Sequence, residues 1–301
     1  MGALLERGFA VVLICALIGL SSPFTAAPPL TFLSFDLPRP ADGEVGPPPS
    51  SHSPPIILLH GLLGQAKNFQ GLGTLLAKAT RRKVYALDLS NHGNNGRERF
   101  RSSMGYSEQA ADVNDWMEWM GIDRAVVVGH SMGGKVAMAL ACSKYQHRLD
   151  GLVVIDIAPV RYAKGDGTMW ETIQGVVDAC WNVKLDSVKS KKEVDRLLGE
   201  SGIADVNLRS FILTNLEKCG DADEYRWKVN LEAIRSNLDS IAGFDIDSSP
   251  GDSATYPGDT FFIAGGNSKY VKINHLPEIS KMFPSMMVRK VRGCGHWVHG
   301  E

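Results

Sequence analysis

The sequence predicts an α/β protein: a mostly parallel central sheet flanked by helices, with a helical cap inserted after the strand that ends at Asp156. Three observations point there. The runs IILLH (56–60), KVYALD (83–88), AVVVGH (125–130) and LVVID (152–156) are short, rich in branched residues and apolar almost throughout, as strands covered on both faces are. Helix-compatible segments at 68–79, 106–120 and 132–145 alternate with them, and a strand, helix, strand order builds a parallel sheet. After Asp156 the strand pattern stops for roughly a hundred residues. There 170–179, 190–198, 206–217 and 227–241 can all be helical, before DTFFIAGG (259–266) and MMVRKVRG (286–293) return as strands.

Taken in order, residues 1–27 read as a leader or targeting segment. GFAVVLICALIGL (8–20) is too short to cross a bilayer comfortably, and the small residues of SSPFTAA follow it. That order fits a secretory leader cleaved near Ala27, although only Arg7, beside Glu6, precedes the apolar run; an organellar presequence and an uncleaved anchor are the other readings. Residues 28–54 hold an edge strand at 31–37 and a connection crowded with Pro, Gly and Ser that resists helix formation. Residues 55–156 and 259–301 form the core, and 157–258 the helical cap and its linker.

Composition narrows the function. The 301 residues include 32 basic and 33 acidic side chains, a net charge of -1 with no long basic tract, so no nucleic-acid partner is expected. Cys15, Cys142, Cys180, Cys219 and Cys294 are too scattered for a disulfide framework, and no CxxC pair suggests zinc.

The most informative residues are Gly129-His130-Ser131-Met132-Gly133, between a strand pattern and the helix pattern MGGKVAMALA. A sharp strand-to-helix turn there lifts a serine oxygen above the sheet as a nucleophile, and flanking glycines give the backbone room. Leu59-His60-Gly61-Leu62-Leu63-Gly64 follows the first core strand, where a turn can bring the Leu62 N–H beside the Met132 N–H as an oxyanion site.

Serine needs a base, and this order of elements expects it after the last strand, where His296 follows a glycine-containing turn and His299 is its neighbour and competitor. His60, His92 and His130 either line the pocket or satisfy buried backbone groups. The acid is less direct, because the segment after FFIAGG, Asn267-Ser268, holds no carboxylate. Asp156, at the end of LVVID, can reach the same histidine from the adjacent strand and preserves the order serine, acid, histidine. Glu232 in the cap is the alternative acid and requires the cap to fold over the site. Met169, Trp170, Phe211, Leu213, Leu216 and Trp227 offer apolar material for an acyl pocket.

These residues resemble the α/β-hydrolases, more narrowly the alpha/beta hydrolase domain-containing protein 11 group with its YbfF-like bacterial esterases. The likeness runs over residues 32–300 through LHGLLGQAKNF, DLSNHGNNG, VVVGHSMGGKVAM, VIDIAPV, FILTNL, YRWKVNLEAI, FIAGGNS and GCGHWVH. It implies Ser131 as nucleophile, His296 as base, Leu62 and Met132 as oxyanion donors, and two acids: Asp156 by the bacterial relatives, or Glu232, where some animal relatives have Asp. Three departures stand out. Ser90 replaces an Arg, removing a loop-bracing side chain; 38–54 is a longer surface connection; and the family's final helix is expected after Glu301, so that without it the last strand has an open face.

The combined expectation is a serine hydrolase that cleaves short-to-medium acyl or lipid esters through an acyl-enzyme, without metal or organic cofactor. A thioesterase or amidase of the same mechanism is the nearer rival. A non-catalytic scaffold is the other, because the resemblance implies a protein partner among lipoylated 2-oxoacid dehydrogenase complexes. It also implies a mitochondrial location, with the secretory pathway or another organelle as the alternative given by the apolar leader.

Overall fold

The computed structural model describes residues 28–36, 53–98, 100–163, 165, 170–219, 224–246 and 255–300. The expected leader, most of the 38–54 connection, Met169 and residues 247–254 of the linker lie outside them.

In chain order, β1 (Phe32–Phe35) precedes β2 (Ile56–Leu59), α1 (Gln70–Thr80), β3 (Val84–Leu87), a short α2 (Asn95–Glu98) and α3 (Tyr106–Trp119). Next come β4 (Ala125–His130), α4 (Met132–Ala141) and β5 (Leu149–Ile155). The cap contains α5 (Trp170–Asn182), α6 (Lys191–Glu200), α7 (Val206–Ile212), β6 (Leu216–Cys219), β7 (Glu224–Trp227), α8 (Leu231–Ser236) and α9 (Leu238–Ala242). β8 (Thr260–Gly265), α10 (Leu276–Met282) and β9 (Met286–Val291) complete the sheet.

Seven strands lie in the order β1-β3-β2-β4-β5-β8-β9. Only β1 runs antiparallel to its neighbour, pairing Phe32 with Leu87 and Phe35 with Val84. Alternation explains why the central runs are apolar without interruption. Ile57, Leu59 and Val127 pack with α3, α4 and the cap, while Ile56, Leu58 and Val128 pack on the opposite face with Phe69 and Ala77. Each such side chain, fully buried, contributes about 1.5–3 kcal/mol. β1 is fastened through Phe32, whose ring meets Trp116 edge-on at 5.3 Å. At the other edge β9 is less covered, with Met287 and Val288 exposed.

The cap corrects the expectation of helices alone. The helix expected over 206–217 ends at Ile212, and the one expected over 227–241 starts at Leu231, because β6 and β7 form an antiparallel hairpin between them. Leu216 pairs with Trp227, and the Glu217 carboxylate accepts from Arg226 Nε at 2.6 Å across the ladder. The alternation Glu224-Tyr225-Arg226-Trp227 carries the period of a strand, and Asn230 then caps α8 by accepting from the Ala233 N–H at 3.1 Å. α10, between the last two strands, is a further element that the sequence reading omitted. Nor is the loop after β3 left unbraced by Ser90. Its hydroxyl donates to Asp112 at 2.6 Å, and Arg101 pairs with the same carboxylate.

Candidate active site

Three strand ends converge at one point above the sheet. Ser131 occupies the turn from β4 into α4 with φ 53° and ψ -120°, a conformation that costs a non-glycine residue about 1–3 kcal/mol. Its neighbours permit the turn: a Cβ on Gly133 would lie 2.3 Å from the Leu59 carbonyl oxygen, and one on Gly129 would lie 2.2 Å from the Gly133 carbonyl oxygen. The turn is tied to β5 by the Ser131 N–H, which donates to Ile155 at 3.0 Å.

A continuous hydrogen-bonded row starts at the serine. Ser131 Oγ lies 3.0 Å from His296 Nε2, and His296 Nδ1 lies 2.7 Å from Asp156 Oδ2. With the proton on Nδ1 donated to the carboxylate, Nε2 is free to accept the serine proton. Asp156 is fully buried at the end of β5, also with positive φ (53°). Its Oδ1 accepts from the Gly265 N–H at 2.9 Å, and its Oδ2 accepts additionally from the Ser268 hydroxyl. The carboxylate is therefore oriented from three sides. His296 is held from both sides as well: Tyr270 stacks on its ring at 4.2 Å, and His130 Nε2 donates to its backbone carbonyl at 2.9 Å.

Glu232 lies elsewhere. It lines a separate cavity of about 630 Å³ in the cap with Trp227, Phe100 and Trp181. Trp227 is likewise removed from the row, its indole N–H spent on the Cys180 carbonyl at 3.1 Å. Of the expected pocket residues, Trp170 lines the cavity of about 30 Å³ beside Ser131, together with Leu62 and Met132. Phe211 instead packs against Trp297, 5.7 Å between centroids. Met132 is the first residue of α4, where an amide has no acceptor within the helix. The turn carrying Leu62 closes through Gly64 N–H to Gly61 at 2.9 Å, and Asn215 of the cap donates to the Leu63 carbonyl at 2.7 Å.

His60, His92 and His130 brace backbone, and neither they nor His299 line that cavity. His60 Nδ1 donates to Gly61 at 2.8 Å while Nε2 accepts from the Leu89 N–H at 3.0 Å, an arrangement that fits the neutral ring. Burial pushes His60 below the usual imidazole range. His130 is pushed well below it by burial first and the adjacent His296 and His299 second. Burial and His296 take His299 down to about 4, and burial and His60 take His92 down to about 3. The ring of His299 packs against His130 at 4.4 Å.

The sequence reading missed Ser268 and Tyr270. The available signal was the strand end after β8, where a hydroxyl without a carboxylate can support an acid arriving from the next strand. Among the described residues no group of three His, Cys, Asp or Glu side chains could hold a metal ion. The row can deprotonate a hydroxyl and stabilise the imidazolium that results.

Comparison with known proteins bears on the fold and the family. A family model described as alpha/beta hydrolase fold matches residues 54–301. The mouse protein named sn-1-specific diacylglycerol lipase ABHD11 is 33% identical over 294 residues, 94% of this chain and 91% of its own length. Esterase YbfF of Escherichia coli is 29% identical over 248 residues, 82% and 87% of the two chains. Among solved structures, a marine microorganism esterase superposes with a TM-score of 0.77 at 27% identity, covering 91% of this chain and 94% of its own. The chain belongs to the alpha/beta hydrolase fold family, among its carboxylic ester hydrolases.

Proposed function

We propose that the chain hydrolyses carboxylic esters by acyl transfer through Ser131. The observation that carries this reading is the row Ser131, His296, Asp156, with contacts of 3.0 and 2.7 Å. Ser131 Oγ attacks the ester carbonyl as His296 Nε2 takes its proton, and the carbonyl π electrons move onto oxygen. The Leu62 and Met132 N–H groups receive that oxyanion; loss of one such donor costs about 3 kcal/mol. The tetrahedral intermediate collapses, His296 protonates the departing alcohol, and an ester of Ser131 remains. Water, deprotonated by His296, then repeats the addition and releases the acid and the serine. Asp156 orients His296 and balances its charge throughout.

The relatives support the substrate class without fixing its acyl chain, since one is named a diacylglycerol lipase and another an esterase. A fluorophosphonate probe and p-nitrophenyl acetate, butyrate and octanoate test the reading. Labelling and turnover by wild type, both lost in a folded Ser131→Ala, are expected. A folded wild type that is neither labelled nor active would overturn the reading and favour a scaffold for a protein partner. The mitochondrial location implied by the family resemblance is part of the proposal, tested by sequencing the mature amino terminus and by fractionation.

A further inference from the structure

The helix that starts beneath Ser131 carries a lysine into the core. Lys135 is 1% exposed, and its amide donates to the Ser131 carbonyl at 3.1 Å, one turn from the nucleophile. Its Nζ donates to three backbone carbonyls: Val160 at 2.9 Å, Ala242 at 2.9 Å and Gly243 at 2.6 Å. Burial and the Arg161 charge draw the Lys135 pKa well below the usual lysine range. Against that pull, three acceptors on one nitrogen are satisfied together only by an ammonium, which is then left with no donor for a substrate.

The acceptors occupy telling positions. Val160 follows Asp156 where the chain leaves the sheet for the cap, and Ala242 and Gly243 end α9, on the chain's return. One cation thus ties both sides of the cap's neck to the nucleophile helix. The neck is closed further by Tyr162 N–H to Ala242 at 3.0 Å and by Arg161 pairing with Asp239 and Asp245, each at 2.8 Å.

Lys135 also lines the cavity beside Ser131, with Tyr106 and Tyr162. Its Nζ lies 5.5 Å from the Tyr106 ring centroid and 4.7 Å from that of Tyr162. Both tyrosines are fixed at their far ends. The Tyr106 hydroxyl donates to Ile241 at 2.6 Å; that of Tyr162 donates to Tyr270 at 2.8 Å and accepts from the Ala158 N–H at 2.9 Å. An aliphatic wall yields to a longer acyl chain by changing rotamers. This wall cannot yield without stranding buried donors and acceptors.

We propose that Lys135 is a specificity-setting positioning residue: by clasping the cap's neck it fixes a polar wall in the acyl cavity and restricts the acyl group to short chains, acetyl to butyryl. The proposal rests on the ester-hydrolase reading and names the substrate class for it. K135M keeps the side chain's length and removes all three Nζ bonds; Y106F releases one bond of the wall and leaves the lysine in place. kcat/KM for p-nitrophenyl butyrate and octanoate is measured beside fluorophosphonate labelling and melting. Wild type is expected to prefer butyrate, with the butyrate-to-octanoate ratio falling about tenfold in K135M and about threefold in Y106F. A lower Tm with an unmoved ratio in both variants makes Lys135 a brace only and overturns the proposal, as does a wild type that prefers octanoate. A wild type that neither labels nor turns over is the failure of the hydrolase reading. The clasp is then judged by amide exchange in the intact chain. Residues 160–162 and 242–243 should exchange as slowly as α4 and more slowly than α6 and α7, whereas rates matching α6 would overturn it.

Discussion

The cleft in the cap and the cavity beside Ser131 divide size and chemistry between them in opposite senses. The cleft lined by Phe100, Trp181, Tyr225, Trp227 and Glu232 holds about 630 Å³; the cavity beside Ser131 holds about 30 Å³. The larger has aromatic walls but, among the described residues, no serine, cysteine or histidine in its lining. The smaller is bordered by a strained serine whose hydroxyl reaches an imidazole held by a buried carboxylate. Volume and polar chemistry thus point to different places. A reactive site is marked by the convergence of oriented polar groups.

The sharpest way to break this comparison is to remove one carboxylate from each cavity's surroundings. Asp156→Asn should lower kcat by about 10⁴-fold, because an amide there no longer fixes the imidazole in the tautomer that accepts from serine. Glu232→Gln should change kcat/KM by less than about twofold. Steady-state kinetics on p-nitrophenyl butyrate checks both, and the reverse ranking would move the chemistry to the cap.

Acid should act next most strongly, and on stability. His92 at about 3 and His299 at about 4, with His60 and His130 shifted the same way, are kept neutral by the fold, whereas an unfolded histidine titrates at ~6.5. Below that value the unfolded chain binds protons that the folded chain excludes. The stabilisation is therefore full above ~6.5 and is lost as pH falls through 6.5 toward 4 and 3. Melting followed by circular dichroism should give a Tm flat between about pH 7 and 8 and lower by about 10 °C or more at pH 4.5. His299→Phe should flatten that slope.

Smaller effects sharpen the contrast. Ser268→Ala removes one of the groups holding Asp156 and should lower kcat about tenfold with KM little changed, the usual size for a hydrogen bond to a charged group. In the large cleft, Trp181→Ala, at a side chain 44% exposed, should alter kcat/KM by less than about twofold.

The parts of this picture that were legible in the sequence share one property: their function demands a local pattern. Ser131 needs a strand, a tight turn and a helix in immediate succession, and each leaves its own signature around residues 125–141. Asp156 ends an equally plain apolar run, and His296 follows the charged strand MMVRKV through a glycine-containing turn. Ser268, Tyr270 and Lys135 were not legible as site residues because each acts on a partner more than twenty residues away. A serine that supports Asp156 across 112 positions looks locally like any turn serine. The cap's hairpin was missed for another reason. The four residues Glu224–Trp227 alternate polar and apolar side chains only twice and Leu216–Cys219 do not alternate, too little to outweigh the helical spacing of their flanks.

The row of three also has a consequence for how the protein is made. Ser131 and Asp156 lie 165 and 140 positions before His296, so a growing chain can build the sheet's centre long before it possesses the base. At about 5–20 residues per second, synthesis of the intervening segment takes roughly 7 to 28 seconds after Asp156 is joined. Throughout that interval the nascent chain carries a serine without its proton acceptor. On the proposed mechanism, translation thus acts as a timer on reactivity, and the first competent molecule is one whose His296 loop has already docked.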